Sequence, residues 1–272
     1  MMKSKNEHYL IEVEFPGLIA QGSTNKMAVK RIQEWINLHR YYKGIKIKIE
    51  VDQDFGGITK KALMIFQEES GLKATGECDE LTWKSLVQPM ELAFNTEIPL
   101  SNDIRVMALA RMKLMLDFSP RELGQNCGPW VRAFMHGHDG DWAAWCAGSV
   151  STCYHLEKER MEKRGLVVGN IVPWSWSVPD MVIEAKRTGR WIDPIEVEMR
   201  AFDKCDLFIV CTPNGKFKYS HVGCITDFSF DKMSTIDTIE GNTNDEGSAE
   251  GFEWCERTRS LKKGNIGIIK IK

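Results

Sequence analysis

The sequence lacks an unbroken run of about 18 apolar residues, so it predicts no transmembrane helix. It also lacks any Cys-x-x-Cys pair, which argues against a structural zinc site built on that spacing. No run of like charge stands out, and 36 Lys and Arg residues nearly balance 38 Asp and Glu residues. Nucleic-acid-binding proteins usually carry a basic stripe, so nucleic acid is not an expected partner.

The first residues also lack the pattern of a secretory signal peptide. The basic N-terminus is not followed by an apolar core segment, because Glu12 and Glu14 interrupt the next apolar stretch. We therefore expect synthesis and folding in a cytoplasm. The eight cysteines are expected to be reduced thiols, because a chain of 272 residues can build apolar cores without disulfide bonds.

The chain is long enough for two domains of unequal size. Its patterns predict an N-terminal lead-in over residues 1–24 and a small, mainly helical domain over 25–88. A linker over 89–101 and a larger domain over 102–272 are predicted to follow. The lead-in is predicted to contain a short strand at 10–15.

The small domain is predicted to combine helices with one extended segment. Apolar residues recur at spacings of three and four over 29–38, which predicts a helix with one apolar face. Alternation over 45–51 predicts a strand. Thr59 is the expected cap of the next helix, and Asp79 or Glu80 is expected to open a last short one.

An ordered series of residues in this domain resembles the peptidoglycan-binding domain type 1 family. The matching residues are Asp52, Asp54, Phe55, Gly56, Thr59, Ala62, Leu63, Phe66, Gln67, Gly71, Leu72, Gly76, Thr82 and Trp83. Most of them are of structural types, and Phe66 and Trp83 are expected to pack in the core. The resemblance implies the fold, and it implies bacterial peptidoglycan as the binding partner.

The larger domain reads as helices followed by strands. Ser101 or Asn102 is expected to cap its first helix, and a later helix is predicted near 178–188. The predicted strands cover 207–211, 222–228, 235–239 and 266–271. This order indicates an α+β domain.

One cysteine stands in a context that differs from the others. Cys146 follows Trp145 and a glycine-rich loop, and it opens a helix of small residues. The positive end of a helix dipole favours a thiolate and lowers the pKa of the thiol. Cys153 lies two turns further along the same face and is expected to be a core residue.

A base and its orienting group can be assigned from the strands. His221 starts an apolar strand beside a glycine, a rigid seat for a general base. Glu240 and Asn242 are two residues apart in an extended segment, so both can face one imidazole. We expect Glu240 to be the direct partner of the imidazole and Asn242 to support it, although a turn-capping role remains open for both.

These segments resemble the cysteine, histidine-dependent amidohydrolases/peptidases, the CHAP family. The matching pieces are Glu122-x-Gly124-x-Asn126-x-Gly128, Trp145-Cys146-Ala147, Ser220-His221-Val222-Gly223 and Ile239-Glu240-Gly241-Asn242-Thr243-Asn244, in the family's order. The resemblance implies a papain-like cysteine hydrolase domain, with helices followed by an antiparallel sheet. It makes Cys146 the nucleophile and His221 the base.

Further residues are candidates for substrate contact. Gln125 or Asn126 is expected to help backbone N–H groups hold an oxyanion. Trp145, Trp174 and Trp176 are candidate substrate-contacting residues, and core packing is the alternative for the tryptophans.

The segment 136–141, which precedes Cys146, contains residue types that can bind a metal ion. His136, His138, Asp139 and Asp141 are ligand types that zinc or calcium could use. Their spacing matches no known metal-binding loop, so no metal or other cofactor is expected.

The function expected from the sequence is hydrolysis of peptidoglycan amide bonds by a monomer. Either the muramoyl-L-alanine link or a stem-peptide bond could be cut. The alternatives are an inert wall-docking protein and a Cys-His acyl transferase. The absence of a signal peptide is compatible with a phage endolysin or with an antibacterial effector of a type VI secretion system. An effector would have an immunity protein as a partner.

Overall fold

The structure of the chain is a computed structural model that describes residues 8–169, 171, 174–197, 202–212, 218–229, 235–243, 251–261 and 264–272. Its described helices are α1 (His8–Val13), α2 (Lys26–Tyr42), α3 (Gly57–Glu69), α4 (Glu80–Asn95), α5 (Ile104–Phe118), α6 (Pro129–Phe134), α7 (Cys146–Lys163) and α8 (Val178–Arg187). The described strands are β1 (Trp191–Ile192), β2 (Leu207–Cys211), β3 (Tyr219–Ser229), β4 (Thr235–Thr243), β5 (Glu253–Ser260) and β6 (Ile266–Ile269). The chain is therefore an α+β protein, as predicted.

The helices of the described residues include none that is long and apolar enough to cross a membrane. Contacts within the chain divide it into two compact units. Unit 1 consists of residues 1–96 and 122–139, and unit 2 consists of 97–121 and 140–272. This division differs from the contiguous domains predicted from the sequence, because the segment 122–139 belongs to unit 1.

Unit 1 is a helical unit in which capping side chains open α2 and α4. The Asn25 side chain accepts a hydrogen bond from the Ala28 N–H at 3.2 Å, and α2 begins there. Asp79 caps α4 through the Thr82 N–H at 2.8 Å, as predicted. Trp83 is fully buried and donates its indole N–H to the carbonyl of Val13 at 2.7 Å.

Two buried glutamines hold the loops of unit 1 in place. The Gln33 amide donates to Asp52 Oδ1 at 2.7 Å and to Thr59 Oγ1 at 3.0 Å. Thr59 is therefore a buried acceptor, and the N-cap of α3 is Gly56 rather than the predicted Thr59. The Gln67 amide donates to Thr82 Oγ1 at 3.0 Å. Residues of the ordered series thus maintain the fold of this unit.

Three predictions about unit 1 are wrong. The segment predicted as a strand at 10–15 overlaps the helix α1. Residues 45–51 form no strand, because the Asn37 side chain binds both the N–H and the carbonyl of Ile49 at 2.9 Å in place of a partner strand. The predicted linker at 89–101 begins inside α4, which runs to Asn95 because its last turns bury Phe94 against Tyr9, with ring centroids 4.2 Å apart.

The segment 122–139 is anchored in unit 1 by an arginine. Arg132 lies on α6, is 4% exposed, and donates to both oxygens of Glu12 and of Glu34. Its Nη1 also lies 2.7 Å from Asp139 Oδ2. Burial alone would lower the pKa of this guanidinium, but its carboxylate partners raise it, so the charge is retained. A buried charge with several partners ties the segment to α1 and α2.

Unit 2 is built on a six-stranded antiparallel sheet with the strand order β1-β6-β2-β3-β4-β5. The four predicted strands are present as β2, β3, β4 and β6, and the predicted helix near 178–188 is α8. The sequence reading missed β1 and β5. The cap of α5 is Asp103, rather than Ser101 or Asn102, since its carboxylate accepts the Arg105 N–H at 2.9 Å.

The helix α7 packs against β3 and β4 and against α5. Arg111 of α5 and Glu157 of α7 form a fully buried ion pair at 2.7 Å, which fixes the two helices together. This packing brings the first turn of α7 to the middle of the sheet, where β3 and β4 pair with Cys224 opposite Ile239.

Candidate active site

Cys146 is the first residue of α7 and is 3% exposed. The turn before it closes with a hydrogen bond from the Ala143 N–H to the Gly140 carbonyl at 2.8 Å, at a glycine with φ of 109°. Ser149 binds the Cys146 carbonyl through its hydroxyl at 2.9 Å. The thiol is therefore held at the positive end of a helix of 18 residues.

His221 lies on β3, opposite Val210 of β2. It is the third residue of a strand that begins at Tyr219, so the ring is fixed by the sheet. Its Nε2 atom lies 2.8 Å from Oε2 of Glu240 on β4. The imidazole also hydrogen-bonds to the Cys146 thiol. Because Nε2 is bonded to Glu240, the nitrogen that faces the thiol is Nδ1.

Glu240 is fully buried and carries three further hydrogen bonds. Arg259 of β5 donates through Nε to Oε1 at 2.5 Å and through Nη2 to Oε2. Thr238 donates its hydroxyl to Oε1 at 2.6 Å. The same guanidinium lies over the ring of Phe208, 5.0 Å from its centroid. The carboxylate thus bridges Arg259 and His221.

Arg259 was missed by the sequence reading. Its strand, β5, alternates between half-buried and exposed positions and carries polar residues, so it lacks the apolar pattern of a strand. The pairing of Glu240 with Cys255 and of Ile236 with Arg259 shows that β5 lies beside β4. An arginine within an alternating segment was the one signal the sequence offered.

The pKa values of the three groups shift in mutually consistent directions. Burial would raise the pKa of the Cys146 thiol, but the hydrogen bond and charge of His221 and the N–H groups of Val222 and Ala147 bring it below its usual value. Burial would lower the pKa of His221, but Cys146 and Glu240 raise it to about 9. Burial opposes ionisation of Glu240 too, yet Arg259 and His221 lower its pKa to about 2. A thiolate, an imidazolium and a carboxylate are therefore favoured together.

Gly223 and Gly241 allow the residues around the Cys146 site to pack closely. A Cβ atom at Gly223 would lie 2.6 Å from Phe208 Cε1 and 2.7 Å from Glu240 Cγ. A Cβ atom at Gly241 would lie 2.5 Å from Ser149 Oγ and 2.7 Å from Trp145. Both positions therefore need glycine for steric reasons.

Asn242 lies two residues after Glu240 in the chain, but its side chain is not the direct partner of the His221 ring. Its backbone is left-handed, with φ of 57°, at a register shift between Glu240 and Thr243. Its Oδ1 atom is buried and has no hydrogen-bond partner among the described residues. The direct partner of the His221 ring is Glu240. Asn244, the last residue of the motif, lies outside the described residues.

The predicted tryptophans occupy two environments. Trp145 is fully buried. Trp174 and Trp176 lie with centroids 5.4 Å apart, and Trp176 contacts Trp142 at 5.9 Å, both edge to face. Trp142 is 60% exposed and Trp176 is 41% exposed. We call these three residues, Trp142, Trp174 and Trp176, the tryptophan shelf.

The residues expected to assist the oxyanion belong to the other unit. Gln125 and Asn126 have left-handed backbones, with φ of 50° and 52°, in a turn closed by the Leu123 N–H and the Cys127 carbonyl at 2.8 Å. They are part of unit 1, and their assignment stays a prediction. The N–H groups that reach the sulfur of Cys146 come from Val222 and Ala147.

The residues considered for a metal have other partners. Asp139 accepts from Arg132 at 2.7 Å and from Lys30 at 3.4 Å. Within the described ranges, no cluster of three or more His, Cys, Asp or Glu side chains is arranged to hold a metal ion. All eight cysteines are free thiols.

A comparison with protein families identifies part of unit 1. Residues 25–86 match the family model of the putative peptidoglycan binding domain. This peptidoglycan-binding domain confirms the N-terminal resemblance, and it supports peptidoglycan as a partner and association with the cell wall. The matched region ends before the residues that carry the Cys146 site. No curated protein and no solved structure matches the chain.

Proposed function

We propose that the protein is a cysteine hydrolase that cuts amide bonds of peptidoglycan, with Cys146 as nucleophile and His221 as base. The observation that carries the proposal is the hydrogen-bonded series from Cys146 through His221 to Glu240. A thiolate against an imidazolium is the ground state of thiol hydrolases. The peptidoglycan-binding domain at 25–86 supplies the substrate class.

The arrangement of unit 2 supports a papain-like assignment. The cysteine opens a helix, the histidine lies on a strand against that helix, and the carboxylate lies on the neighbouring strand. This order and the matching segments are those of the CHAP resemblance. A fold can host several functions, so the proposal rests on the side-chain geometry of the site.

In the proposed reaction the thiolate of Cys146 attacks an amide carbonyl carbon. The first-turn N–H groups of α7 have no acceptor within the helix and can stabilise the oxyanion. The imidazolium of His221 gives its proton to the leaving amine as the C–N bond breaks, which leaves a thioester. Water then attacks the thioester with His221 as base, and this step releases the acid and restores the thiol pair.

The carboxylate of Glu240 keeps the imidazole oriented and favours its charged form during this cycle. Arg259 and Thr238 hold the carboxylate through further hydrogen bonds to Oε1, and Arg259 also binds Oε2. Removing a supporting partner of this kind commonly costs about 10- to 100-fold in activity. The ionised and fully bonded site favours catalysis over the alternative of an inert wall-docking protein.

The biological setting that we propose is action on a bacterial wall after release from the producing cell. A phage endolysin and an injected type VI effector both fit this setting. An effector would pair with an immunity protein that covers the Cys146 site. Co-expression with a candidate immunity gene distinguishes the two, since protection of the producing cell is expected for an effector alone.

Purified sacculi test the proposal directly. The full chain is expected to release fragments that mass spectrometry identifies as products of amide cleavage, and Cys146→Ala is expected to release none. Cys153→Ala is the matched control, because Cys153 lies on the same helix, fully buried, and burial raises its pKa to leave it a thiol. Equal release by the wild type and by Cys146→Ala would refute the proposal.

A further inference from the structure

The tryptophan shelf is an aromatic surface of unit 2 in which Trp142 and Trp176 are exposed. Trp142 lies four residues before Cys146, a separation that spans at most about 14 Å of extended chain. Exposed and contiguous apolar surface of this kind marks a binding site more often than chance exposure. Trp142 lies on the short segment that leads into the first turn of α7.

A hydrogen-bonded connection fixes the shelf to the helix of Cys146. Ser151 of α7 donates its hydroxyl to the Ser175 carbonyl at 3.0 Å and accepts the Ser175 N–H at 3.2 Å. Ser175 lies between Trp174 and Trp176, and Ser151 lies about 8 Å along the helix from Cys146. These two hydrogen bonds hold the segment of Trp174 and Trp176 against the helix that begins at Cys146.

The chemistry of peptidoglycan decides what such a surface can hold. The stem peptide contains alanine, glutamate and a diamino acid, whose side chains are small or charged. The glycan strand consists of pyranose rings, and each ring presents a face of C–H bonds. The negative face of an indole attracts these C–H groups, and the neighbouring rings of the shelf stand nearly perpendicular to each other, at 87° and 79°.

We infer that the tryptophan shelf binds the muramic acid ring and thereby directs Cys146 to the muramoyl-L-alanine bond. This inference rests on the proposed function. In muramic acid a lactyl group joins the ring to the first alanine, so the amide carbonyl lies within a few bonds of the sugar. A peptide cross-link lies several residues away, at about 3.3 to 3.6 Å for each residue. A ring seated beside the thiol presents the nearer bond.

The test compares two substrates with the full chain. One is a glycan-bearing muropeptide, and the other is the same cross-linked stem peptide without sugars. We expect glycan free of peptide and stem peptides with a free N-terminal alanine. Trp176→Ala is expected to raise KM for the muropeptide roughly tenfold with little change in kcat, since one stacked ring is lost. Trp176→Phe, which keeps an aromatic face, is expected to restore most of the affinity.

The matched control is Ile195→Ala, because Ile195 is another exposed apolar residue of unit 2, at 81% exposure. It is expected to leave KM unchanged. Circular dichroism and thermal unfolding of each variant establish that it is folded. Because Trp176 is 41% exposed, its replacement leaves the core intact.

Each other outcome overturns a defined part of the argument. Cleavage of cross-links with intact muramoyl-alanine bonds, or equal KM values for Trp176→Ala and Ile195→Ala, refutes the shelf inference and leaves the hydrolase proposal standing. Trp176→Ala could also raise KM for the sugar-free peptide, and acetylation of the peptide's free amine could remove that effect. This result would show that the shelf binds an ammonium group, and it would refute the shelf inference. Cleavage that does not depend on Cys146 refutes both.

Discussion

Arg259 binds both oxygens of the Glu240 carboxylate, and one of them, Oε2, is also the partner of the His221 ring. The hydrogen bonds of the Arg259 side chain go to Glu240. Arg259 keeps the carboxylate ionised, because without it a fully buried Glu240 would have only His221 as a charged partner.

Replacement of Arg259 therefore tests how the site is supported. We expect Arg259→Gln to lower kcat/KM by about 10- to 100-fold, the range seen when an orienting partner is removed. The free energy of unfolding is expected to fall by about 3 kcal/mol, since a buried charge loses its main partner. Steady-state kinetics on soluble muropeptides and urea unfolding measure the two effects.

Arg257→Gln is the control for this change. Arg257 lies on the same strand two residues earlier and donates to Thr243 Oγ1 at 2.9 Å, without binding Glu240. It is expected to affect stability more than activity. A loss of kcat/KM for Arg257→Gln that equals the loss for Arg259→Gln would contradict the specific role of Arg259.

The pH dependence of activity follows from the two coupled groups. His221 must be protonated to supply the proton for the leaving amine, and its pKa is raised to about 9. Cys146 must be a thiolate, and its pKa is lowered from 9.0. We expect kcat/KM to decline on the alkaline side near pH 9 and on the acid side as the thiolate is protonated. Rates measured across a buffer series check both limbs.

Glu240→Gln should move the alkaline limb of that profile to lower pH. The variant removes a negative charge that raises the pKa of His221, so the imidazolium loses its proton earlier. The glutamine side chain keeps nearly the same shape as the glutamate that it replaces. An alkaline limb that stays at the wild-type pH in this variant would show that Glu240 does not set the charge of the imidazole.

The stability of unit 2 should also depend on pH through these groups. The folded pKa of Glu240 is lowered from 4.5 to about 2, so its contribution is present above pH 4.5 and is lost as the pH falls through 2. The folded pKa of His221 is raised from 6.5 to about 9, so its contribution is complete below pH 6.5 and is lost as the pH rises through 9.

Hydrogen exchange of the β3 and β4 amides, measured at several pH values, reports the local free energy of opening of these strands. We expect protection to fall below pH 4.5 and again above pH 6.5 in the wild type. Glu240→Gln is expected to lose much of the acid dependence. Identical acid dependence in both proteins would mean that other carboxylates control the sheet.

Gly223→Ala tests the steric argument for the site. The added Cβ would lie 2.9 Å from the Ile239 carbonyl as well as against Phe208 and Glu240. We expect a loss of about 2 kcal/mol in the free energy of unfolding, typical of overpacking, and a large loss of activity. Gly57→Ala is the control, because that position is exposed and its Cβ would meet no atom within 4 Å. A stable and active Gly223→Ala variant would contradict the tight packing.

Arg132→Gln tests the anchoring of the segment 122–139 in unit 1. The change removes the cation that Glu12 and Glu34 share, and it leaves Arg31 at 3.6 Å from Glu12 and Lys30 at 3.7 Å from Glu34. Breaking a buried pair costs about 3 to 5 kcal/mol, and we expect a loss at the lower end of that range. The unfolding transition of unit 1 is expected at lower temperature, with weaker binding to sacculi. Arg40→Gln, at a half-buried residue that donates to the Ile47 carbonyl at 3.3 Å, is expected to change little.

Sequence patterns predicted much of the candidate site because its residues have strong local signatures. Cys146 follows a glycine loop and opens a helix, and His221 and Glu240 sit in apolar strands. The structure brings these three side chains together. The periodicity of apolar residues and the turn residues between elements also predicted α8 and the strands β2, β3, β4 and β6 correctly.

The remaining elements depend on contacts that are distant in sequence. Helix α1 is held by Arg132, which is 120 residues away from Glu12, and no local pattern encodes such a contact. Strand β5 is polar, and its partner strand rather than its composition makes it a strand. Arg259 was missed for that reason. The segment 122–139 carries residues of the CHAP resemblance, so the motif order gave no sign that it packs in unit 1.

The attachment of α6 to unit 1 bears on how this protein can be dissected. A fragment ended by a single scission after residue 96 keeps the matched region 25–86 but discards Arg132, the counter-ion of Glu12 and Glu34. In such a fragment Glu12 keeps only Arg31, at 3.6 Å, and Glu34 keeps only Lys30, at 3.7 Å, as neighbouring cations. Poor solubility or weak wall affinity of the fragment would then reflect the cut. Evolutionary shuffling of the binding module faces the same obstacle, because the module is interleaved with its neighbour along the chain.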